Sequence, residues 1–124
     1  MEILYSSNKL DKQCNNIKEA TKLFGGNKVI AISLLARINA LKQANVLKDI
    51  ILQPQFHFHK LENKGKRKNY EGYFAIDVKG RKDGWRIVLE PLDDKKMPFH
   101  PCNIDEVSSY VRIIEIREVV DYHE

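Results

Sequence analysis

Residues 72–89 read GYFAIDVKGRKDGWRIVL, and this stretch decides the fold. Residues 73–78 and 85–89 are two runs in which apolar residues recur at every second position, and the segment between them holds Gly80 and Gly84. A period of two is typical of strands, and glycines between two such runs are typical of a turn. The stretch therefore predicts an antiparallel β-hairpin.

Alternation divides the side chains of this hairpin between two faces. One face should turn toward a core and carries Phe74, Ile76, Val78, Trp85, Ile87 and Leu89. The other face is partly polar and carries Tyr73, Ala75, Asp77, Arg86, Val88 and Glu90. We therefore expect helices on the first face and polar chemistry on the second.

The chain before the hairpin is mostly helical in pattern. Residues 2–6 predict a first strand, and Asn8 is a candidate N-cap for the helix that follows. Apolar spacings of three and four predict that this helix continues to Gly25-Gly26, with one stripe formed by Leu10, Cys14, Ile17, Thr21 and Phe24. A second helix should start at Asn27 and use Ile30, Leu34, Ile38 and Leu41, and a short third segment contains Leu47, Ile50 and Ile51.

Two further strands are predicted outside the hairpin, at residues 56–61 and 110–120. Residues 91–109 are expected to form a long loop, because Pro98 and Pro101 cannot sit inside a ladder. The chain is thus predicted to be a single α+β domain, residues 1–124. An N-terminal strand and two to three helices should pack on one face of a four- to five-stranded antiparallel sheet.

The positive charge of the chain is concentrated in one window. The formal net charge is only +4, but residues 60–86 contain nine basic and four acidic residues and so carry +5. A field of this sign attracts polyanions, of which nucleic-acid phosphate is the commonest. A solvated lysine-rich surface would show the same pattern, so charge alone leaves both interpretations open.

Composition makes several protein classes poor candidates. No apolar run is long enough to cross a bilayer, and the acidic, polar start lacks the regions of a signal peptide, so we expect a cytoplasmic protein that does not bind membranes. Cys14 and Cys102 are far apart and predict free thiols. His57 and His59 could share one strand face, but no residue completes a metal-ligand spacing, and we expect no metal and no cofactor.

Candidate catalytic groups lie in two regions. His59 and Arg86 belong to predicted strands, and Asp121, Tyr122 and His123 follow a strongly apolar one. A histidine can act as acid or base near neutral pH, and an arginine offers a permanent cation to phosphate. Register between strands cannot be read from one sequence, so whether His59 meets Arg86 stays open.

Over nearly its full length the chain resembles the HigB-type branch of the RelE/ParE toxin superfamily. The likeness is carried by Met1-Glu2-Ile3-Leu4-Tyr5, His59-Lys60-Leu61, Gly72-Tyr73-Phe74-Ala75-Ile76-Asp77 with Trp85-Arg86-Ile87, and Val111-Arg112-Ile113-Ile114-Glu115-Ile116 leading to Asp121-Tyr122-His123. The resemblance implies a RelE-like fold and a toxin that enters the ribosomal A site, contacts 16S ribosomal RNA and cuts messenger RNA there. It also implies a HigA-like helix-turn-helix antitoxin as partner.

Carried over by position, the resemblance implies a catalytic set of His59, Arg86, Asp121, Tyr122 and His123. It implies RNA binding by Lys60, Lys64, Lys66, Arg67 and Lys68. The basic turn is longer here than in the family, so the role of each basic residue stays open. The implied chemistry is metal-independent acid/base attack of the ribose 2′-hydroxyl.

Three other functions compete with this interpretation. A ParE-like toxin would share the fold and poison DNA gyrase, but it would need neither His59 nor the Asp-Tyr-His tail. A non-catalytic RNA-binding module would use the basic surface alone. Metal-dependent hydrolysis could use His57 and His59, but lacks a recognisable ligand set.

Overall fold

The computed structural model describes residues 1–61 and 71–121. Within these ranges the helices are Asn8–Asn15 (α1), Ile17–Leu23 (α2), Lys28–Gln43 (α3), Leu47–Ile51 (α4) and Ile104–Val107 (α5). The strands are Glu2–Tyr5 (β1), His59–Lys60 (β2), Phe74–Asp77 (β3), Trp85–Leu92 (β4) and Ile113–Asp121 (β5). The α+β prediction is confirmed, with the helices on one side of a five-stranded sheet compatible with a RelE-like fold.

The sheet has the strand order β1-β5-β4-β3-β2 and is mixed, whereas the sequence predicted an antiparallel one. The pairs β2–β3, β3–β4 and β4–β5 are antiparallel, but β1 runs parallel to β5, with Ile3 opposite Ile114. The physical reason is connectivity. Only strands joined by a tight turn must be antiparallel, and β1 is separated from β5 by most of the chain, which gives room for a crossover.

The central hairpin forms in the predicted register. Ile76 lies opposite Ile87, and Asp77 lies opposite Arg86. Gly84 closes the turn before β4 with a φ of 76°, a left-handed conformation that glycine adopts without the steric cost of a Cβ atom. The hairpin therefore places Asp77 and Arg86 side by side at the same end of the sheet.

The first predicted helix is two helices. Ser7, not Asn8, caps α1 by accepting a hydrogen bond from the main-chain N–H of Leu10. The chain leaves the helix at Asn16, whose side-chain oxygen then caps α2. The break changes the buried face: Ala20 is fully buried, and Ile17, which the predicted stripe placed inside, is 38% exposed.

The helices and the sheet enclose the main core. Leu34, Ile38 and Leu41 from α3 are almost completely buried, as predicted for the second helix. They belong to the same cluster as Phe74, Ile76, Val78, Ile87 and Leu89, the inward set predicted from alternation. No helix in the described ranges combines the length and the apolar character needed to cross a membrane.

The strand predicted at residues 56–61 is much shorter than expected. Pro54–Phe56 form a 3-10 turn, and His57 follows in the left-handed region with φ and ψ both 50°. Extended pairing begins only at His59, which lies opposite Ala75. The left-handed residue reverses the chain direction locally, and this prevents an earlier start of β2.

The segment predicted as a long loop is partly structured. β4 continues through Pro91 to Leu92, and α5 lies further along the same segment. Tyr110, predicted to open the last strand, is exposed, and β5 begins at Ile113. Pro91 fits in β4 because each strand residue directs its N–H toward only one neighbouring strand. The pairing of β3 with β4 reaches only Leu89, so the missing N–H of Pro91 breaks no bond on that side.

Candidate active site

A buried ion pair occupies the sheet face opposite the helices. Asp77 and Arg86 are cross-strand neighbours, and the Nε atom of Arg86 lies 3.0 Å from the Oδ1 atom of Asp77. Both side chains are largely removed from solvent, with exposed fractions of 3% for Asp77 and 11% for Arg86. Charges at this depth must be paired, so each residue depends on the other.

The guanidinium of Arg86 is also held by the main chain of its own hairpin. Its Nη1 donates to the carbonyl of Trp85 at 3.0 Å, and its Nη2 donates to the carbonyl of Arg81 at 3.3 Å. A guanidinium has five N–H donors. Asp77, Trp85 and Arg81 engage three of them, and the other two have no partner among residues 1–61 and 71–121.

His57 reaches the same carboxylate from the other side. Its Nδ1 lies 3.1 Å from the Oδ1 atom of Asp77, the oxygen that also faces Arg86. An ionised carboxylate only accepts hydrogen bonds, so the Nδ1 of His57 is the donor. From the sequence, His57 was expected to be an exposed or hydrogen-bonded strand residue, with metal binding as the alternative, and the structure places it in a charged cluster with Arg86.

His59 is fixed by the main chain of His57. The Nδ1 atom of His59 lies 2.7 Å from the His57 carbonyl oxygen, and the two imidazole rings stack with centroids 4.5 Å apart. A carbonyl oxygen can only accept, so the Nδ1 of His59 carries the hydrogen. In the neutral ring the lone pair therefore lies on Nε2, for which the described residues provide no partner.

His59 and Arg86, whose relation the sequence left open, thus belong to one connected cluster. The connection runs from the ring of His59 to His57, from His57 to Asp77, and from Asp77 to Arg86. Asp77 and Arg86 lie at the end of the sheet where β3 and β4 meet their turn, and His59 lies opposite Ala75, two residues earlier in β3. We refer to these four residues as the His–Asp–Arg cluster.

Arg37 of α3 supports the cluster from the helix layer. Its Nε donates to the carbonyl of Val78 at 3.1 Å, its Nη2 donates to the carbonyl of Gln55 at 3.2 Å, and its guanidinium lies 4.7 Å from the ring centroid of Phe56. Burial lowers the pKa of Arg37, and the negative charge of Asp77 opposes this shift. Arg37 therefore ties the segment before His57 to the end of β3.

The C-terminal group is only partly described. Asp121 is the last residue of β5 and lies opposite Trp85, whereas Arg86 lies opposite Val120. Alternation puts Asp121 on the face of Trp85, which packs edge-on against Phe24 of the helix layer. Asp121 and Arg86 are thus on opposite faces at the same end of the sheet. Tyr122 and His123 lie outside the described residues.

Only one of the predicted RNA-binding residues lies in the part of the chain that the structure describes. Lys60 is exposed on the edge strand β2, and Lys64, Lys66, Arg67 and Lys68 lie outside the described residues. A cleft of about 410 Å³ beside β2 is lined by Lys48 and Lys60 and by the aromatic rings of Phe58 and Phe74. Asp105 also lines this cleft, so two lysines and one carboxylate give the lining a net charge of +1, and Phe74 is only 1% exposed, which leaves Phe58 as the accessible ring.

A second charged cluster lies further along the same face. Glu90 is opposite Glu115, and Arg117 donates to the Glu115 carboxylate and lies 5.5 Å from the ring centroid of Tyr73. Burial raises the pKa of Glu90, and Glu115 raises it further, while Arg117 acts in the opposite direction. The face therefore has a cationic end near Arg86 and an acidic end near Glu90.

The described residues offer little for metal or thiol chemistry. Within residues 1–61 and 71–121, no group of three or more His, Cys, Asp or Glu side chains could hold a metal ion. Both cysteines are free, and burial, with a smaller contribution from Asp11, raises the pKa of Cys14 to about 12. A thiol with such a pKa is protonated and unreactive at neutral pH.

Comparisons with models of protein families, with curated proteins and with solved structures gave no match. Membership of the RelE/HigB family therefore stays a prediction from the residues quoted above. The function must be inferred from the cluster itself.

Proposed function

We propose that this protein is a ribosome-dependent endoribonuclease of the RelE/HigB type, the toxin of a type II toxin-antitoxin system that acts in the cytoplasm. The observation that carries the proposal is the state of His59. Its Nδ1–H is committed to a main-chain carbonyl, which leaves Nε2 as a proton acceptor. This arrangement is what a general base requires.

The proposed reaction needs no metal. Nε2 of His59 takes the proton of the ribose 2′-hydroxyl, the 2′-oxygen attacks the adjacent phosphorus, and the bond from phosphorus to the 5′-oxygen breaks. The products are a 2′,3′-cyclic phosphate and a free 5′-hydroxyl. The two N–H groups of Arg86 that bind no other described residue are suited to stabilise the charge on the phosphorane.

The tail completes the proposed site. His123 would return a proton to the leaving 5′-oxygen, and Tyr122 would stack on a base or orient the phosphate, whereas Asp121, on the opposite sheet face from Arg86, would take no direct part. Lys60, Lys64, Lys66, Arg67 and Lys68 would contact RNA backbone, with 16S ribosomal RNA among the ligands. In the ribosomal A site the ribosome itself would orient the messenger RNA, so few protein groups would suffice. A HigA-like helix-turn-helix antitoxin would be the inhibitory partner.

The test is single-turnover cleavage of messenger RNA on programmed ribosomes. His59→Ala should lower the rate by roughly 10²- to 10⁴-fold, the usual contribution of a positioned acid or base. Arg86→Ala should lower it by roughly 10²- to 10³-fold through lost charge stabilisation. The matched control is His100→Ala, which removes an exposed histidine outside the cluster. The upstream fragment should end in a cyclic or 3′-phosphate.

The role of the tail can be tested separately, because Asp121 ends β5. Deleting residues 122–124 leaves every described strand residue in place. A folded truncated protein that cleaves at the normal rate would remove the tail from the mechanism. A folded His59→Ala variant that cleaves at the normal rate, or a wild-type protein that never cleaves, would contradict the proposal as a whole.

One observation favours a second candidate, a non-catalytic RNA-binding module. Arg86 makes three bonds within its own chain and is only 11% exposed, as expected for an arginine that holds the hairpin together. In that case neither the wild type nor Arg86→Ala would cut RNA, and Arg86→Ala would lower only the free energy of unfolding. In cells, loss of DNA synthesis before loss of protein synthesis would instead favour a ParE-like action on gyrase.

A further inference from the structure

We propose that His57 is the positioning residue for His59, and that its left-handed backbone and its bond to Asp77 select the tautomer of the catalytic imidazole. The catalytic consequence rests on the function proposed above. The tautomer selection does not, because it concerns only the groups within the chain.

The first support is the backbone of His57. It has φ and ψ of 50°, and it is one of two non-glycine residues with positive φ in the described ranges. L residues with a side chain rarely adopt this conformation, and such residues are concentrated at functional sites. At this position it ends the 3-10 turn and aims the His57 carbonyl at the Nδ1 of His59, 2.7 Å away.

The second support is that hydrogen bonds anchor both the side chain of His57 and the segment before it. The Nδ1–H of His57 reaches the carboxylate of Asp77, which Arg86 fixes from the other side. Arg37 holds the carbonyl of Gln55, two residues before His57. These contacts keep His57 in a conformation that an isolated peptide would leave.

The consequence is chemical. In water, the neutral imidazole of histidine favours the tautomer with its hydrogen on Nε2. The His57 carbonyl reverses this preference in His59, because only an Nδ1–H can donate to it. The stacked ring of His57, with centroids 4.5 Å apart, also limits rotation of His59. Nε2 is thereby kept as the acceptor at one orientation.

The experiment compares three variants at His57. His57→Ala removes the ring and disfavours positive φ, His57→Gly removes the ring but allows positive φ, and His57→Asn tolerates positive φ and can still donate to Asp77. The tautomer of His59 is read from two-bond and three-bond ¹H–¹⁵N correlations of histidine-labelled protein at about pH 8.5, where an unperturbed imidazole is neutral. His100, exposed in its loop, serves as the internal reference.

We expect His59 to be in the Nδ1–H form in the wild type and His57→Asn, and to shift toward the Nε2–H form in His57→Ala. His57→Gly should lie between them. In single-turnover cleavage, His57→Ala should lower the saturating rate constant by about 10- to 100-fold with little change in the concentration that gives half of that rate, by analogy with groups that orient metal-ligating histidines. His57→Asn should recover most of this loss.

The two proposals fail in different ways. If His59 keeps the Nδ1–H form in His57→Ala, or if Ala and Asn give the same tautomer, the positioning role is wrong whatever the activity. If the tautomer shifts as expected but no RNA is cleaved by the wild type, the nuclease proposal fails and the positioning role stands.

Discussion

At the scale of single residues, the cluster depends on one oxygen atom. The Oδ1 atom of Asp77 receives both the Nδ1–H of His57 and the Nε–H of Arg86, and the side chain of Asp77 is 3% exposed. A carboxylate at that depth is costly unless its partners are cationic or well aligned. Asp77 therefore connects the stability of the hairpin to the geometry of His57 and, through it, of His59.

Removing this carboxylate should be costly for folding. Asp77→Ala leaves the guanidinium of Arg86 buried without its counter-charge, and breaking such a pair from one side typically costs about 3 to 5 kcal/mol. Urea unfolding followed by circular dichroism measures the free energy. The control is Asp94→Ala, an exposed loop aspartate whose loss should cost less than about 0.5 kcal/mol. Equal stability of the two variants would show that the pair is not buried as described.

The sequence predicted some residues of the cluster and missed others for a definable reason. His59 and Arg86 were predicted from residue type, strand position and the family resemblance. Asp77 was placed on the correct face but not recognised, because its partner depends on register. Counting outward from the turn of a symmetric hairpin would have paired Asp77 with Arg86. His57 could not be found this way, because its left-handed backbone has no signal in the sequence.

At the scale of elements, helices and strands with a regular apolar period were predicted from the sequence, whereas the break between two helices and the direction of β1 were not. The central hairpin, α3 and the inward set of side chains follow from periods of two and of three to four. The break at Asn16 was not predicted, because an apolar period can run through two short helices when each helix has its own cap. The direction of β1 was not predicted, because β1 and β5 are far apart in sequence and their relative direction depends on how the intervening chain crosses the sheet.

The capping role of Asn16 gives a prediction for this break. Its Oδ1 accepts hydrogen bonds from the main-chain N–H groups of Lys18 at 2.9 Å and Glu19 at 3.1 Å. Asn16→Ala should therefore cost about 1 kcal/mol in the free energy of unfolding. The control is Asn39→Ala on the exposed face of α3, where alanine is the better helix former and stability should stay equal or rise slightly. A loss of the same size in both variants would argue against a cap at Asn16.

At the scale of the whole molecule, basic and acidic residues lie at different ends of the sheet face opposite the helices. Lys79, Arg81 and Lys82 are exposed on the β3–β4 turn, whose Arg81 carbonyl contacts Arg86. Lys60 lies on the edge strand that carries His59. The acidic pair of Glu90 and Glu115 lies away from this end of the sheet. A polyanion would thus be attracted toward the His–Asp–Arg cluster and repelled from the far end of the same face.

The +5 charge of residues 60–86 predicts which basic residues contribute to binding. Replacing Lys64, Lys66, Arg67 and Lys68 by alanine should weaken binding to ribosomes or RNA and reduce the slope of log K against log salt by about 0.7 to 0.9 for each lost phosphate contact. The matched control removes the same charge from the exposed surface of α1 and α2, by replacing Lys9, Lys12, Lys18 and Lys22. Long-range attraction depends on net charge and should fall similarly in both variants, whereas direct phosphate contacts are lost only in the first. Equal slopes in the two variants would mean that residues 64–68 act through net charge alone and that the RNA surface lies elsewhere.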